Sequence, residues 1–325
     1  MMHEPKTPTT RRAATVTSIS LSARCRQIVN ADVSGVAELL SKGFPRRSLD
    51  HWRRALDRLA KHPTPTGMPK YGYILESANI PVGVILLISS MVQEGNTETI
   101  RCNVSSWYVE PEFRIHAPLL VSQAIRNKEV TYFNISPAKH TRPIIEAQGF
   151  SQYSTGQFVT FAFPSMRRDP TLTVGPNVTP DAHFEPFERD LLVTHSQYGC
   201  MSLWCVTPER AYPFVFLPRV MKRIVPCAQL IYCRHIEDFI RFARPLGSYL
   251  RSHGRPFVII DSKGPIRGLR GWYFDGVAPK YFKGPIPPRL GDLAYTEAAM
   301  FEAESSKEVW DNLDEVASVS KSASF

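Results

Sequence analysis

The 325-residue sequence predicts an α/β protein whose two halves are each a mixed, mostly antiparallel sheet flanked by helices. Three observations carry this. Apolar β-branched runs alternate with capped amphipathic runs along the chain. In each half hairpin-like strands precede a strand–helix–strand crossover. Residues 164–186 shift to Pro, Arg, Thr, Asn and Asp, with prolines at 164, 170, 176, 180 and 186, as a link between domains would. The expected organisation is a disordered tail over 1–24, a first domain over 25–163, a linker over 164–186, a second domain over 187–304 and a tail over 305–325.

In the first half, Ile28 and Val29 read as a strand and Asp32 as a helix cap. Val33, Val36, Ala37 and Leu40 follow at helical spacing, and Gly43 is the stop. Ser48 can cap a second helix that carries Leu49, Trp52, Leu56 and Leu59 on one face. Breakers at Pro63, Pro65, Gly67 and Pro69 come next. Tyr71 to Glu76 and Ile80 to Met91 flank Ser77-Ala78-Asn79, the pattern of a hairpin. A polar turn over Gln93 to Thr99 leads into the strand Ile100 to Val109. A helical run, the strand Val130 to Ile135, a short helix and a closing strand to Phe163 complete the half.

The second half repeats this order without any repeat of residues. Phe187 to Gln197 reads as a helix, and a hairpin turns at Thr207-Pro208-Glu209-Arg210. The strand CAQLIYCR leads into a helix from His235 with Pro245 as an expected kink. PFVIID is a strand, and WYFDGVAPKYF reads as another hairpin, built on Asp275-Gly276. The C-terminal tail holds an amphipathic segment around Val309, Trp310, Leu313 and Val316.

The 39 Lys+Arg against 30 Asp+Glu leave a net charge of +9. Such a surface suits nucleic acid, anionic membrane or a phosphorylated cofactor, and it equally suits a basic surface with no further role. No zinc finger, RNP motif or basic–aromatic stripe is visible, so nucleic acid is not favoured. The longest apolar run, Val82 to Val92, is far short of the roughly 20 residues of a membrane helix and reads as a buried strand. Six cysteines are few for this length. Cys227 and Cys233 near His235 fit either a zinc site or buried reduced thiols; the thiols are preferred, no metal is expected, and a cytoplasmic setting follows. No apolar segment follows Arg11-Arg12, so the N-terminus makes a poor secretory signal; it fits a transit peptide or a disordered tail, the tail being preferred.

The stretch Trp107 to Phe150 carries the chemistry. The strand ending at Val109 opens through Glu110-Pro111-Glu112 into a helical run beside Arg114. Unpaired N–H groups at a helix start, with an arginine close by, favour an anion.

On WYVEPEFR, on NISPAKHTRPIIEAQGF and on element order, residues 28–163 resemble the GNAT superfamily of acyl-CoA-dependent N-acyltransferases. The resemblance implies that pantetheine lies between splayed strands, along Tyr108 and Val109. It implies a pyrophosphate turn over Arg114, Ile115, His116, Ala117, Pro118 and Leu119, with Asn134 and Ser136 lining the opposite strand end. The family's turn has two glycines where Ala117 and Leu119 stand here, and Pro118 removes an N–H. Ile145 stands near the place of the family's general-acid tyrosine, and IRCNVSSWYV offers no glutamate base.

The implied cosubstrate is acyl-CoA or acetyl-CoA, the acceptor a small-molecule or peptide amine. His116, Ser105 and Tyr108 are the first catalytic candidates, with Ser106 and His140 also in reach and the Val109 N–H as an oxyanion donor. His116 fits a general base by its ordinary pKa near 6.5, and equally an ordinary polar residue at a helix start. In the second half, Trp272 to Asp275 and Asp292 to Glu297 fit an acceptor pocket or a strand face, the strand face being preferred. A catalytically silent tandem scaffold that binds a ligand through the same cleft is the alternative function, and the oligomeric state is left open.

Overall fold

A computed structural model describes residues 22–94, 97–162, 172–176, 183–221 and 224–301. Residues 1–21 of the expected tail, most of the linker and the segment around Val309 to Val316 lie outside the described residues.

The first half runs β1 (Arg24–Gln27), α1 (Val33–Gly43), α2 (Leu49–Lys61), β2 (Gly72–Ser77), β3 (Ile80–Glu94), β4 (Thr97–Val109), α3 (Ala117–Ala124), β5 (Thr131–Asn134), α4 (Arg142–Ala147) and β6 (Ser151–Phe161). Ser48 caps α2 by accepting the His51 N–H at 3.1 Å. The hairpin turn puts Ala78 and Asn79 at φ 49° and 63°, and Gly149 ends α4 at φ 86°.

Asp32 departs from its expected role. Its carboxylate accepts the Val29 N–H at 2.8 Å and N–H groups of the two terminal Arg26 guanidinium nitrogens, so it closes the 3-10 turn Asn30–Asp32 and makes no side-chain cap to α1. That turn also ends the first strand at Gln27, ahead of the expected Ile28-Val29.

The second half runs β7 (Thr173–Gly175), α5 (Pro186–Gln197), β8 (Met201–Val206), β9 (Ala211–Met221), β10 (Val225–Cys233), α6 (Ile236–Ser252), β11 (Phe257–Ser262), β12 (Gly271–Lys283) and α7 (Glu297–Met300). Within the expected linker, β7 pairs with β8. The expected hairpin at Asp275-Gly276 is one continuous strand, β12. Between Asp275, opposite Gly156, and Lys280, opposite Ser154, the extra residues bulge out, with Gly276 and Ala278 at positive φ. The glycine that suggested a reversal absorbs a bulge instead.

Among the described residues the strands form one sheet in the order β1-β2-β3-β4-β5-β12-β6-β11-β10-β9-β8-β7. Each half is a mixed, mostly antiparallel sheet flanked by helices, and the two are joined edge to edge by an exchange of last strands. β6 pairs with β11 of the second half, while β12 passes between β6 and β5 of the first. The junction buries a charge pair: Lys280 Nζ lies 3.1 Å from Asp261, which also accepts from Gln157 Nε2 at 3.0 Å. Buried charges persist only when paired and hydrogen-bonded, and here both conditions are met across the crossing of the two halves.

α1 and α2 pack through Leu40, Trp52 and Leu56 on one sheet face, and α5 covers the second half of that face through Leu191 and Leu192. α3 and α4 cover the opposite face in the first half, α6 in the second. The joined sheet thus sets two parallel strand pairs, β4–β5 and β10–β11, into one surface.

Candidate active site

The site begins where β4 and β5 part. They pair in parallel at Arg101–Thr131, Cys102–Tyr132 and Asn103–Phe133, and no further pair is formed among the described residues. From Val104 to Val109, β4 therefore keeps its partner β3 on one side while its β5-side edge is unclaimed by β5. Against β3, Tyr108 faces Val84 and Ser105 faces Leu86, so Ser106 and Trp107 together oppose Ile85. Ser106 takes the extra length at φ 51°, a conformation that non-glycine residues adopt at a cost. The strand therefore leaves its β5 neighbour at a fork that carries a bulge.

The second half has the same beginning and a different end. β10 and β11 pair in parallel at Cys227–Phe257, Ala228–Val258 and Gln229–Ile259. Beyond that, the chain's own residues 291–293 occupy the edge of β10: the Cys233 N–H donates to Gly291 O at 2.9 Å and the Leu293 N–H to Ile231 O at 2.7 Å. The backbone of that fork is taken.

The residues expected at the first fork separate into four groups. Tyr108 turns towards α1, where a Cβ on Gly43 would fall 2.4 Å from its ring, and Val109 is buried against the α3 side. Arg114, Ile115 and Leu119 are exposed and His116 half-buried, on a 3-10 turn (Pro111–His116) that leads into α3. This winding commits the Phe113 N–H to Glu110 O and the Ala117 N–H to Arg114 O, and Pro118 has none to give. Asn134 ends β5 opposite Tyr281 of β12.

Ser105 and Ser136, from the two arms of the fork, are brought together by a residue the sequence did not single out as a base. Both hydroxyls donate to the carboxylate of Glu297, at the start of α7, and the Glu297 N–H donates to Asn103 Oδ1 at 2.7 Å. A carboxylate from almost two hundred residues away in sequence thus stands at the fork.

Beside the fork, on the α5 side, lies a cavity of about 690 Å³ between the halves. Ile88, Met91, Phe133 and Leu191 give it apolar walls; Asn103, Tyr295 and Thr296 line it towards Glu297. The stretch Asp292 to Glu297 is therefore no strand face: Asp292, Ala294, Tyr295 and Thr296 are cavity wall. The charged wall is held by ion pairs, Arg101 to Asp292 at 2.6 Å and Arg289 to Asp292 at 3.0 Å. Burial pushes the Asp292 carboxyl up, and the two guanidiniums outweigh it, leaving its pKa at about 2. Arg101 also lies over the Phe133 ring, and Arg289 over that of Tyr232.

Tyr295 is fixed between two buried histidines, its ring 5.3 Å from that of His62 and 4.8 Å from that of His195. His195 Nδ1 contacts Leu191 O at 2.8 Å and must donate to it, so Nε2 is the lone-pair nitrogen that accepts the Tyr295 N–H at 3.1 Å. His62 Nε2 likewise faces Ser89 O at 3.1 Å.

Similar architecture is found in solved structures. A GCN5-related N-acetyltransferase from Anabaena variabilis ATCC 29413 superposes with a TM-score of 0.54 at 9% identity, over 80% of this chain and 72% of that one. A conserved protein of unknown function from Enterococcus faecalis V583 gives 0.53 at 11% identity, over 84% and 73%. A GCN5-related N-acetyltransferase from Kribbella flavida gives 0.50 at 12%, over 80% and 70%. No family model matches the sequence, and no curated protein does. At these identities the likeness is one of fold: the chain has the GNAT fold that its sequence resembles.

Proposed function

We propose that the protein transfers an acyl group from an acyl-CoA, acetyl-CoA being the simplest, to an amine, and that the fork between β4 and β5 is the thioester site. The observation that carries this reading is the pairing of an open, bulged strand edge with a carboxylate set between its arms. Tyr108, Val109, Asn134 and Ser136 stand around that fork, and Arg114, Ile115, His116, Ala117 and Leu119 form the turn beyond it. Arg114 would hold phosphate by charge, since the turn's own amides are partly spent. The second-half fork, filled by residues 291–293, serves as structure.

The acceptor would enter from the cavity, whose 690 Å³ suits a small amine better than a folded peptide segment. Within the described residues no helix is long and apolar enough to cross a membrane. All six cysteines are free thiols, which supports a reducing, cytoplasmic setting for this chemistry.

One observation favours the silent-scaffold alternative: the pyrophosphate turn is a 3-10 helix with Pro118 at its exit. Thermal shift separates the readings. Acetyl-CoA at a hundredfold excess over Kd should stabilise the protein by about 2.7 kcal/mol, a rise of several degrees in Tm. Arg114→Ala should need about tenfold or more ligand for the same rise, the cost of a charge-assisted contact. No rise with acetyl-CoA or any longer acyl-CoA contradicts the cofactor and the reaction together. Stabilisation without thiol release across a panel of amines would support the scaffold.

A further inference from the structure

We propose that Glu297 is the general base of this site and that Ser106 and Ser105 conduct the acceptor's proton to it; the assignment rests on the acyl-transfer reading above. Five acidic side chains are buried among the described residues: Glu76, Glu188, Asp261, Asp292 and Glu297. The first four are each neutralised by an arginine or lysine, through Arg24 and Arg26, Arg234, Lys280, and Arg101 with Arg289. The surroundings of Glu297 differ in kind. Its carboxylate is held by the hydroxyls of Ser105 and Ser136, and among the described residues it has no salt bridge to a cation.

The other four carboxylates face a full counter-charge, whereas that of Glu297 meets only neutral hydroxyls, one on each oxygen, and keeps further lone pairs open to a proton. Burying a carboxylate without a counter-charge is costly, and here only the two hydroxyls offset that cost. The placement agrees. Glu297 is 8% exposed and does not itself meet the cavity, but Asn103, which accepts its N–H, and Thr296 before it both line that cavity.

The path from fork to base consists of two hydroxyls. Ser106 stands at the bulge, half-buried, with its Oγ 3.0 Å from Ser105 Oγ, which in turn donates to Glu297. When the amine nitrogen forms its bond to the thioester carbonyl carbon, its surplus proton passes to Ser106 Oγ. Ser106 gives its own proton to Ser105, and Ser105 gives its own to Glu297 Oε2. The C–S bond then breaks with its electron pair on sulfur, and the proton held by Glu297 returns along the same path to the leaving thiolate. The balance is amine plus acyl-CoA to amide plus free CoA thiol, with the carboxylate restored. Ser136, on the other arm, holds Oε1 and so keeps the carboxylate turned to the relay; it is a positioning residue.

The test uses the full chain, acetyl-CoA and a panel of primary amines, with thiol release as the assay. Glu297→Gln keeps the shape of the side chain and removes its basicity. It should lower kcat by about a hundredfold or more, leave the acetyl-CoA Kd within about twofold, and abolish the acid limb of the wild-type pH–rate profile. Ser106→Ala, at a half-buried position outside the cores, should lower kcat in the same way and cover the case in which Glu297→Gln does not fold. Wild-type kcat and an unchanged pH profile in folded Glu297→Gln, or in Ser106→Ala, overturn the assignment and leave the acyl-transfer reading intact. A wild-type protein that binds no acyl-CoA and releases no thiol with any amine overturns that reading, and the assignment with it.

Discussion

Asp292→Ala should lower the free energy of unfolding by about 3–5 kcal/mol, the range found when one partner of a buried ion pair is removed. Asp292 accepts from Arg101 at 2.6 Å, from Arg289 at 3.0 Å and from the Ala294 N–H at 3.2 Å, and it is 5% exposed. Truncation leaves the Arg101 guanidinium, itself 13% exposed, over the Phe133 ring without its carboxylate. The same residue ties β4 to the segment that delivers Glu297, so the fork should loosen together with the fold. Asp292→Asn keeps the shape and an acceptor for Ala294 and should lose less.

The pH dependence follows from the depressed pKa of Asp292. Its stabilisation is complete above the unfolded value near 3.8 and is lost as pH falls towards about 2. Urea unfolding at neutral pH measures the main effect; a loss under about 1 kcal/mol for Asp292→Ala would contradict the ion-pair account.

Mild acid should destabilise the protein in a separate window, between about pH 6.5 and pH 4. Burial, the largest influence, lowers the pKa of both His62 and His195 to about 4; the carbonyls they face raise it, and Lys70 lowers that of His62 further. Both rings are therefore neutral when folded and free to protonate when unfolded. Their contribution is complete above about 6.5 and is lost as pH falls through the folded value, at about 3 kcal/mol for each histidine.

Local geometry gives the reason. His195 Nε2 holds a lone pair towards the Tyr295 N–H, and a proton placed there would meet another N–H. Protonation would expel Tyr295 from between the two rings, and with it part of the cavity wall. Comparing denaturant midpoints at pH 7 and pH 4.5 in wild type and in the double variant His62→Asn, His195→Asn isolates the effect. The variant should lose most of the pH slope; an unchanged slope would assign acid sensitivity to other groups.

What the sequence disclosed was local. Ser48 is a cap with its partner three residues away, Ser77-Ala78-Asn79 is a turn, and the path from Trp107 through Pro111 into a helix is a run of neighbouring residues with distinct propensities. Each is decided within a few residues, where pattern and propensity act. The splay of the fork was not among these local signals; it came only as what the family resemblance implied along Tyr108 and Val109.

The site's completion was not legible in that way. Glu297 meets Ser105 and Ser136 across 192 and 161 residues, and Arg101 meets Asp292 across 191, so no window of sequence contains either pair. WYFDGVAPKYF carries the glycine and proline of a turn, and only its partners Asn134 and Gly156, supplied by the other half, keep it extended. Asp32 offered a cap by spacing, but Arg26 and the Val29 N–H, brought near by the 3-10 turn, claim its oxygens.

Calorimetric titration of acetyl-CoA into the full chain tests the central claim most directly. An open β4–β5 fork predicts saturable binding at one site per chain, weakened by about tenfold or more in Arg114→Ala. The absence of saturable binding by acetyl-CoA and by longer acyl-CoAs alike would contradict it.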